Sequence, residues 1–342
     1  MTATLPTPRT PDPMDAPPLR WGVIAPGGIA HAMATALRAR TRQEVHAVGS
    51  RSLERAEAFA REFGAHAAYG SYEELVTDPD VDAVYVASPH SEHHEHALMA
   101  IRAGKHVLVE KAFTRNHREA LEVVQAARGT GVFAMEAMWT RFLPHIDVVR
   151  RVLETGLLGN VHTVFADHGQ PLHPGGPRRL SDPDLAGGAL LDLGVYPLSF
   201  ASFVLGELAS VSATGSLTDL GVDAQESITV ANDAGALGVL ATTMLAKTPT
   251  TAAICGTKAR LELEGEFYQP TTVRLVAPDG TVLDTYRPDE VEHGLHFEAA
   301  EVARRVAAGE RESPLMPLDE TLRVMATMDE VRVQLGVRYP GE

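Results

Sequence analysis

The stretch RWGVIAPGGIAHAM, Arg20 to Met33, decides how the first half of the chain is read. WGVIA is a short apolar run of strand type, and IAHAMATALRAR (29–40) has helical composition and apolar spacing. Between them lie Pro26, Gly27 and Gly28. Such a strand–glycine–helix junction suits a phosphate, because free N–H groups and the helix dipole point at the loop. Gly27 and Gly28 would let the backbone approach a pyrophosphate. Ile29 opens the helix, and Ala30 allows close packing where a third glycine often sits. Ala25 stands at the tight-turn position and is expected to keep a negative φ. By itself the turn fits an ordinary strand–helix connection equally well. Its place in the first strand–helix unit favours the nucleotide.

Working outward, the alternation continues. VHAVGS (45–50) reads as a strand and SLERAEAFAREF (52–63) as a helix closed by Gly64. DAVYVAS (82–88), HVLVEK (106–111) and VFAMEA (132–137) are further strands, with SEHHEHALMAIRA (91–103) and NHREALEVVQAAR (116–128) as helices between them. Strands apolar on both faces and separated by helices imply a parallel, doubly wound sheet of Rossmann type. After Pro144 the pattern changes. HIDVVRRVLETG (145–156) leads into VHTVFADHG (161–169), and ESITVAN, LGVLATTML, ARLELEGE and TVRLVAPDGTVLDTYRP are alternating strands without helices between them. Asp279-Gly280 marks a hairpin. Two helices close the chain.

The expected fold is therefore α/β. Residues 1–19, rich in proline, form a disordered tail. Residues 20–143 form a dinucleotide-binding domain, and 144–342 an α/β domain with a large, mostly antiparallel open sheet. A broad sheet covered by helices on one face only needs something on the other. A homodimer through that sheet, or a larger assembly built from it, is expected.

The end of the second strand selects the cofactor. An NAD site places a carboxylate there for the ribose diol. Here the tip reads Ser50-Arg51, with Arg55 one helical turn on. Arginine suits bidentate recognition of a phosphate, so NADP is expected rather than NAD. The plainer alternative is that both arginines are solvated surface residues.

The 342 residues carry 45 acidic and 30 basic side chains, a net charge of −15, which argues against nucleic acid and anionic membrane as partners. The single cysteine, Cys255, excludes an internal disulfide and suits a reducing, cytoplasmic setting. No apolar run reaches the length of a bilayer span, and no secretory signal is expected in the proline-rich start. His90, His93, His94 and His96 invite a metal reading, yet no cysteine or carboxylate cluster completes a shell. A loop and helix start beside the cofactor is the better account, and no metal is assigned.

Four further motifs belong together: ASPHSEHHEHALMAIRAGKHVLVEKAF (87–113), AMEAMWTRFLP (134–144), GGALLDLGVYPLSF (187–200) and ESPLMPLDETLRVMATMDEVR (312–332). Their order and spacing resemble the glucose–fructose oxidoreductase / inositol dehydrogenase / rhizopine-catabolism (Gfo/Idh/MocA) family, nearest to its dimeric dihydrodiol dehydrogenase and NADP-dependent D-xylose dehydrogenase branch. The resemblance implies an NAD(P)-dependent enzyme acting on CH–OH groups. It places Lys111 of the Glu-Lys motif at the nicotinamide, Tyr196 as the residue that moves the proton, and Asp192 facing the substrate. Ser88, Pro89, His93 and Glu110 fall beside the cofactor, and Trp139 and His168 line the substrate pocket. Two positions depart from the family: Ala25 stands for a glycine, and Ala112 for the proline after the lysine.

A free tyrosine near pKa 10 is a poor base at neutral pH, and a lysine ammonium close by favours the phenolate. Asp192 and Tyr196 are four apart and share a face if their segment is helical. Otherwise Tyr196 would be a core tyrosine with a satisfied hydroxyl. The expected substrate is small and polyhydroxylated, first an aldose oxidised at its first carbon, such as D-xylose. A trans-dihydrodiol, or a keto or anhydro sugar undergoing reduction, comes next. A non-catalytic NADP-binding sensor is the more distant alternative.

Overall fold

The computed structural model describes residues 4–288 and 293–342. It forms two compact units: Pro11–Trp139 with Gly294–Leu322, and Met1–Thr10 with Thr140–His293 and Arg323–Glu342.

The first unit is the expected doubly wound sheet. Its strands are β1 (Arg20–Ile24), β2 (Glu44–Gly49), β3 (Ala67–Tyr69), β4 (Ala83–Val86), β5 (His106–Glu110) and β6 (Ala134–Ala137). The helices α1 (Gly28–Arg40), α2 (Leu53–Phe63), α3 (Tyr72–Thr77), α4 (His90–Arg102) and α5 (His117–Thr130) connect them. All pairings are parallel, in the order β3-β2-β1-β4-β5-β6. Every residue of β4 and β6 is buried, as both faces of such a sheet require. Gly64 and Gly131 close α2 and α5 in the left-handed region, at φ 76° and 78°. β3 and α3 lack a sequence expectation, because three and six residues are too few to show a period.

The second unit carries α6 (Pro144–Glu154), then β7 (Val161–Gly169), a short α7 (Arg178–Ser181) and α8 (Val195–Leu205). Seven more strands follow: β8 (Ser210–Leu217), β9 (Asp223–Ala231), β10 (Leu237–Thr243), β11 (Ala252–Gly256), β12 (Arg260–Leu263), β13 (Val273–Val276) and β14 (Val282–Tyr286). The sheet runs β14-β13-β12-β11-β7-β10-β9-β8 and is antiparallel except at β10–β7. α8 packs on β7 and β10. It ends a run, 183–205, with the length and apolarity of a membrane span, most of it buried within the protein. β9 and β10 alternate buried and exposed residues, so one face of the sheet is apolar core and the other is open.

The last two helices are α9 (Leu295–Ala307) and α10 (Leu318–Leu335). The expected single boundary after residue 143 does not hold. The units part between Trp139 and Thr140, and α9 joins the first unit by packing on α1. Two bonds add to this: the Ala134 amide donates to Arg311 O (3.1 Å) and Thr321 Oγ1 to Glu136 (2.9 Å).

Two other expectations are corrected. The proline-rich start, apart from residues 1–3, which lie outside the described residues, is placed rather than disordered. Within the second unit, the Leu5 amide donates to Asp284 (2.8 Å), and Arg9 pairs with Asp147 (3.1 Å) and Glu154 (3.0 Å). Within the first, Pro13–Asp15 form a 3-10 turn against α9, and Arg304 donates to Asp12 O at 2.7 Å. Prolines narrow the unfolded ensemble, so a few charge-assisted bonds suffice to order such a segment.

Ala25 has φ 66°, not a negative value. Its amide extends the β1–β2 pairing by donating to Gly49 O (3.1 Å), and its carbonyl accepts from the Gly27 amide (2.7 Å). The chain must reverse around Pro26 between these two bonds, and a left-handed residue does this. Alanine there costs about 1–2 kcal/mol relative to an unstrained conformation. Ala25→Gly is expected to raise the melting temperature by about 2–4 °C, after allowing for glycine's greater unfolded entropy. Thermal unfolding followed by circular dichroism measures this, and an unchanged or lower value would contradict it.

Candidate active site

The first unit gathers its candidate site residues at the carboxyl ends of its strands. Strand order reverses between β1 and β4, which marks the position where doubly wound sheets bind ligands. The helix starts differ in a telling way. α2, α3 and α5 are capped by the side chains of Ser52, Ser71 and Asn116. α1 and α4, whose N-cap residues are Gly27 and Pro89 on the two sides of the reversal, have no side-chain cap. Their first N–H groups are left for a ligand, and an anion suits them. Gly27 has φ −93°, so no unusual conformation calls for glycine there, and a Cβ on Gly28 would meet nothing within 4 Å. These two glycines leave the helix start bare. Ala30 is fully buried against the sheet, while Ile29 is partly exposed. The dinucleotide expected from the sequence fits this cradle.

Ser50 is buried just beyond β2, its Oγ accepting from the Ser52 amide at 3.2 Å. Arg51 and Arg55 are exposed at that strand tip. Tyr72, which the sequence reading passed over, and His96, which it weighed only as a metal ligand, join them. Their rings meet edge to face with centroids 4.6 Å apart, and His96 Nδ1 lies 2.9 Å from Ser88 Oγ. Burial raises the Tyr72 phenol, and the Arg51 guanidinium nearby pulls it back. The cationic tip is thus continuous with the Ser88–Pro89 loop.

His93 is 1% exposed, with Nε2 2.8 Å from Ser88 O and Nδ1 2.9 Å from Ala112 O. It ties the loop after β4 to the loop after β5. Burial pulls its pKa down to about 4. Glu110 is likewise occupied within the protein: it accepts from the Tyr85 hydroxyl and from the Lys111 amide (3.2 Å). Lys111 follows, half-buried, and the Lys111–Ala112 peptide bond is cis. Trp139, buried, begins a 3-10 turn at the end of the first unit.

In the second unit, Asp192, Tyr196 and His168 come together. Leu190–Gly194 form a π-helical turn that runs directly into α8, which places Asp192 and Tyr196 on one continuous helix. Asp192 accepts from Arg179 at 2.8 Å. The His168 ring lies 5.3 Å from that of Tyr196, and Tyr268 packs against both, at 4.4 Å from His168 and 4.7 Å from Tyr196. Tyr268, Gln170 and Glu266 had no place in the sequence reading. Gln170 Nε2 lies 3.0 Å from His168 Nε2, and Gln269 links to Glu266 at 2.6 Å. Lys247, 2.6 Å away, holds the Glu266 carboxyl below its ordinary value. Burial raises the Tyr268 phenol, and the charges of Glu266 and Asp192 add to the rise. The result is three aromatic rings edged by carboxylates and amides, a surface suited to the faces and hydroxyls of a carbohydrate or diol. The one signal for Tyr268 was EFYQP (266–270), where an aromatic pair between polar residues breaks the strand alternation.

Residues 19–138 match the model of the oxidoreductase family with an NAD-binding Rossmann fold, and 146–262 match the GFO/IDH/MocA C-terminal domain. The trans-1,2-dihydrobenzene-1,2-diol dehydrogenase of Xenopus laevis is 37% identical over 330 residues, covering 94% of this chain and 99% of that protein. The chain belongs to the GFO/IDH/MocA oxidoreductase family. The NADP(+)-dependent D-xylose 1-dehydrogenase of Hypocrea jecorina is 36% identical, covering 94% of this chain and 93% of its own. Among solved structures, the 3-ketoreductase KijD10 of Actinomadura kijaniata, in complex with NADP and TDP-benzene, superposes with a TM-score of 0.82. It is 29% identical and covers 93% of this chain and 98% of its own. The protein is an oxidoreductase, as the motifs around Lys111 and Tyr196 implied.

Proposed function

We propose that this oxidoreductase is NADP-dependent and interconverts a CH–OH and a C=O group on a small polyhydroxylated substrate, first of all an aldose at its first carbon. The observation that carries the cofactor is the tip of β2, where Ser50 and Arg51 stand without a carboxylate and Arg55 follows on α2. A 2′-phosphate gains two guanidinium partners there, whereas a bare ribose diol lacks its usual acceptor. The uncapped starts of α1 and α4, with Gly27, Gly28 and Ile29, would hold the pyrophosphate. Ser88, Pro89 and Lys111 border the nicotinamide end.

When bound, the cofactor supplies the acceptor or donor of a hydride. The protein handles the rest. In the oxidative direction the substrate hydroxyl loses its proton to Tyr196 as the carbonyl forms, and in reduction Tyr196 returns it. The family motif assigns Lys111 the positive charge that favours the phenolate. Asp192, held by Arg179, accepts a hydrogen bond from a substrate hydroxyl. The resemblance assigns His168 and Trp139 to the substrate pocket. Relatives of both kinds bear on the choice of substrate, since one acts on a trans-dihydrodiol and another on D-xylose. The clustered His168, Tyr196 and Tyr268 rings suit the unsaturated ring of a dihydrodiol, and the polar edge suits the sugar.

The open face of the large sheet supports a homodimer. Phe165, Leu237 and Val239 lie on it, 47%, 42% and 40% exposed. Phe165 pairs directly with Val239 across β7 and β10. Light scattering at micromolar concentration is expected to give twice the chain mass, and a monomer would refute this. The single Cys255, its thiol pKa raised by burial, supports a reducing, cytoplasmic setting.

The decisive assay follows the NADPH absorbance band with NADP or NAD against aldoses, polyols and dihydrodiols. Tyr196→Phe is expected to lower kcat about 100-fold or more with cofactor affinity retained. Full turnover would remove Tyr196 from the chemistry. Arg51→Ala is expected to raise KM for NADP about 10-fold or more while leaving KM for NAD unchanged, as for a lost charge-assisted contact. An unchanged KM for NADP would overturn the phosphate assignment.

A further inference from the structure

The π-helical turn Leu190–Gly194 has no cap within its own sequence: Ala189 precedes it and offers no side-chain acceptor. The acceptor comes instead from the sheet. Asp223, the first residue of β9, is fully buried, and its Oδ2 accepts from the Leu190 amide at 2.5 Å. Gly188 makes room for this contact. It sits at φ +124°, and a Cβ built on it would lie 2.1 Å from Asp223 Oδ1.

The same stretch is held at two other points. The Tyr339 hydroxyl donates to Gly187 O at 2.8 Å. Gly194 lies over Glu226, where a Cβ would come within 3.2 Å of Oε1. The glycines of GGALLDLG therefore mark the points at which the helix start descends onto buried polar groups of the sheet.

We infer that Asp223 is a positioning residue for the reaction: its carboxylate caps the π-turn from below and thereby sets the orientation of Asp192 and Tyr196. A carboxylate is the stronger cap, because it accepts an amide bond as a charge-assisted one and answers the positive end of the helix dipole. The groups facing Asp223 are Glu226 on the same strand, Arg332 on α10 and Tyr339 after it. Burial raises the Asp223 carboxyl to about 6, and the Leu190 amide works in the opposite direction. Glu226, buried with no hydrogen-bond partner for either oxygen among the described residues, is raised well above the ordinary range by burial, and the Asp223 charge adds to the rise.

The inference rests on the reading of Tyr196 as the proton-transfer residue, and the test separates the two. Asp223→Ala, Asp223→Asn and Gly188→Ala are compared in the full chain by steady-state kinetics and by fluorescence titration of NADPH. Removing the cap is expected to lower kcat about 10-fold or more in Asp223→Ala, because small displacements of reacting groups are costly. NADPH affinity stays unchanged. Asn keeps a carbonyl acceptor and is expected to retain kcat within about 3-fold. Gly188→Ala, which drives a methyl into the carboxylate, is expected to resemble Asp223→Ala. Should Asp223→Ala not fold, the Asn and Gly188 variants carry the test. A kcat within about 2-fold of the parent in Asp223→Ala or Gly188→Ala overturns the inference, and so does an Asn variant as impaired as Ala. In a Tyr196→Phe background, Asp223→Ala is expected to lower kcat by less than it does in the parent, because only the Asp192 part of the positioning is left to lose. If Tyr196→Phe alone keeps full turnover, the Tyr196 reading fails instead.

Discussion

The position of β1 between β2 and β4, fixed by backbone pairing on both sides, governs the cofactor half of this enzyme. Ala25 still bonds to Gly49 on one flank, and Ala87 bonds to Ile24 on the other. Both strands therefore stop at the same level, and two helices must start there. Helices that start in a crevice have N–H groups to satisfy. Elsewhere in this sheet Ser and Asn side chains do so; at the β1/β4 reversal no side-chain cap does among the described residues. The proposed anion site rests on that omission, and the left-handed Ala25 is the conformational cost of keeping the turn tight.

The second unit solves the opposite problem. Its helix start has a partner, but one drawn from another element. Asp223 reaches up from β9, and Gly188 yields the space. Neighbouring polar groups, His168 and Gln170 at the end of β7 and Tyr268 after β12, then assemble around Tyr196. Buried carboxyls under this turn and buried rings above it give the segment few ways to relax, which suits a site that must hold reacting groups in place.

Much of this was legible in the primary structure. Period and punctuation located the main parallel strands and their helices, because fully apolar runs and glycine caps are local signals. The Ser-Arg tip of β2 was legible for the same reason: the identity of one residue at a strand end carries the meaning. Short elements such as β3 and α3 were not, since a few residues define no period. Nor was the order of residues 4–19, whose composition suggested disorder until Arg9 met Asp147 and Glu154, more than a hundred positions away.

By itself, then, the sequence determined the two classes of sheet, which depend on residue type and local spacing, and its motifs carried the resemblance that pointed to the family and to Lys111, Asp192 and Tyr196 as candidates. Tertiary structure alone decided what depends on distance through space. It turned Glu110 and His93 inward to tie strand ends together, placed Tyr72 and His96 beside the cationic tip, and stacked Tyr268 on His168. It also set Asp223 under a helix that begins 33 positions earlier. Such contacts join residues far apart in the chain, and only the packing of the folded protein selects among the many partners each could have had.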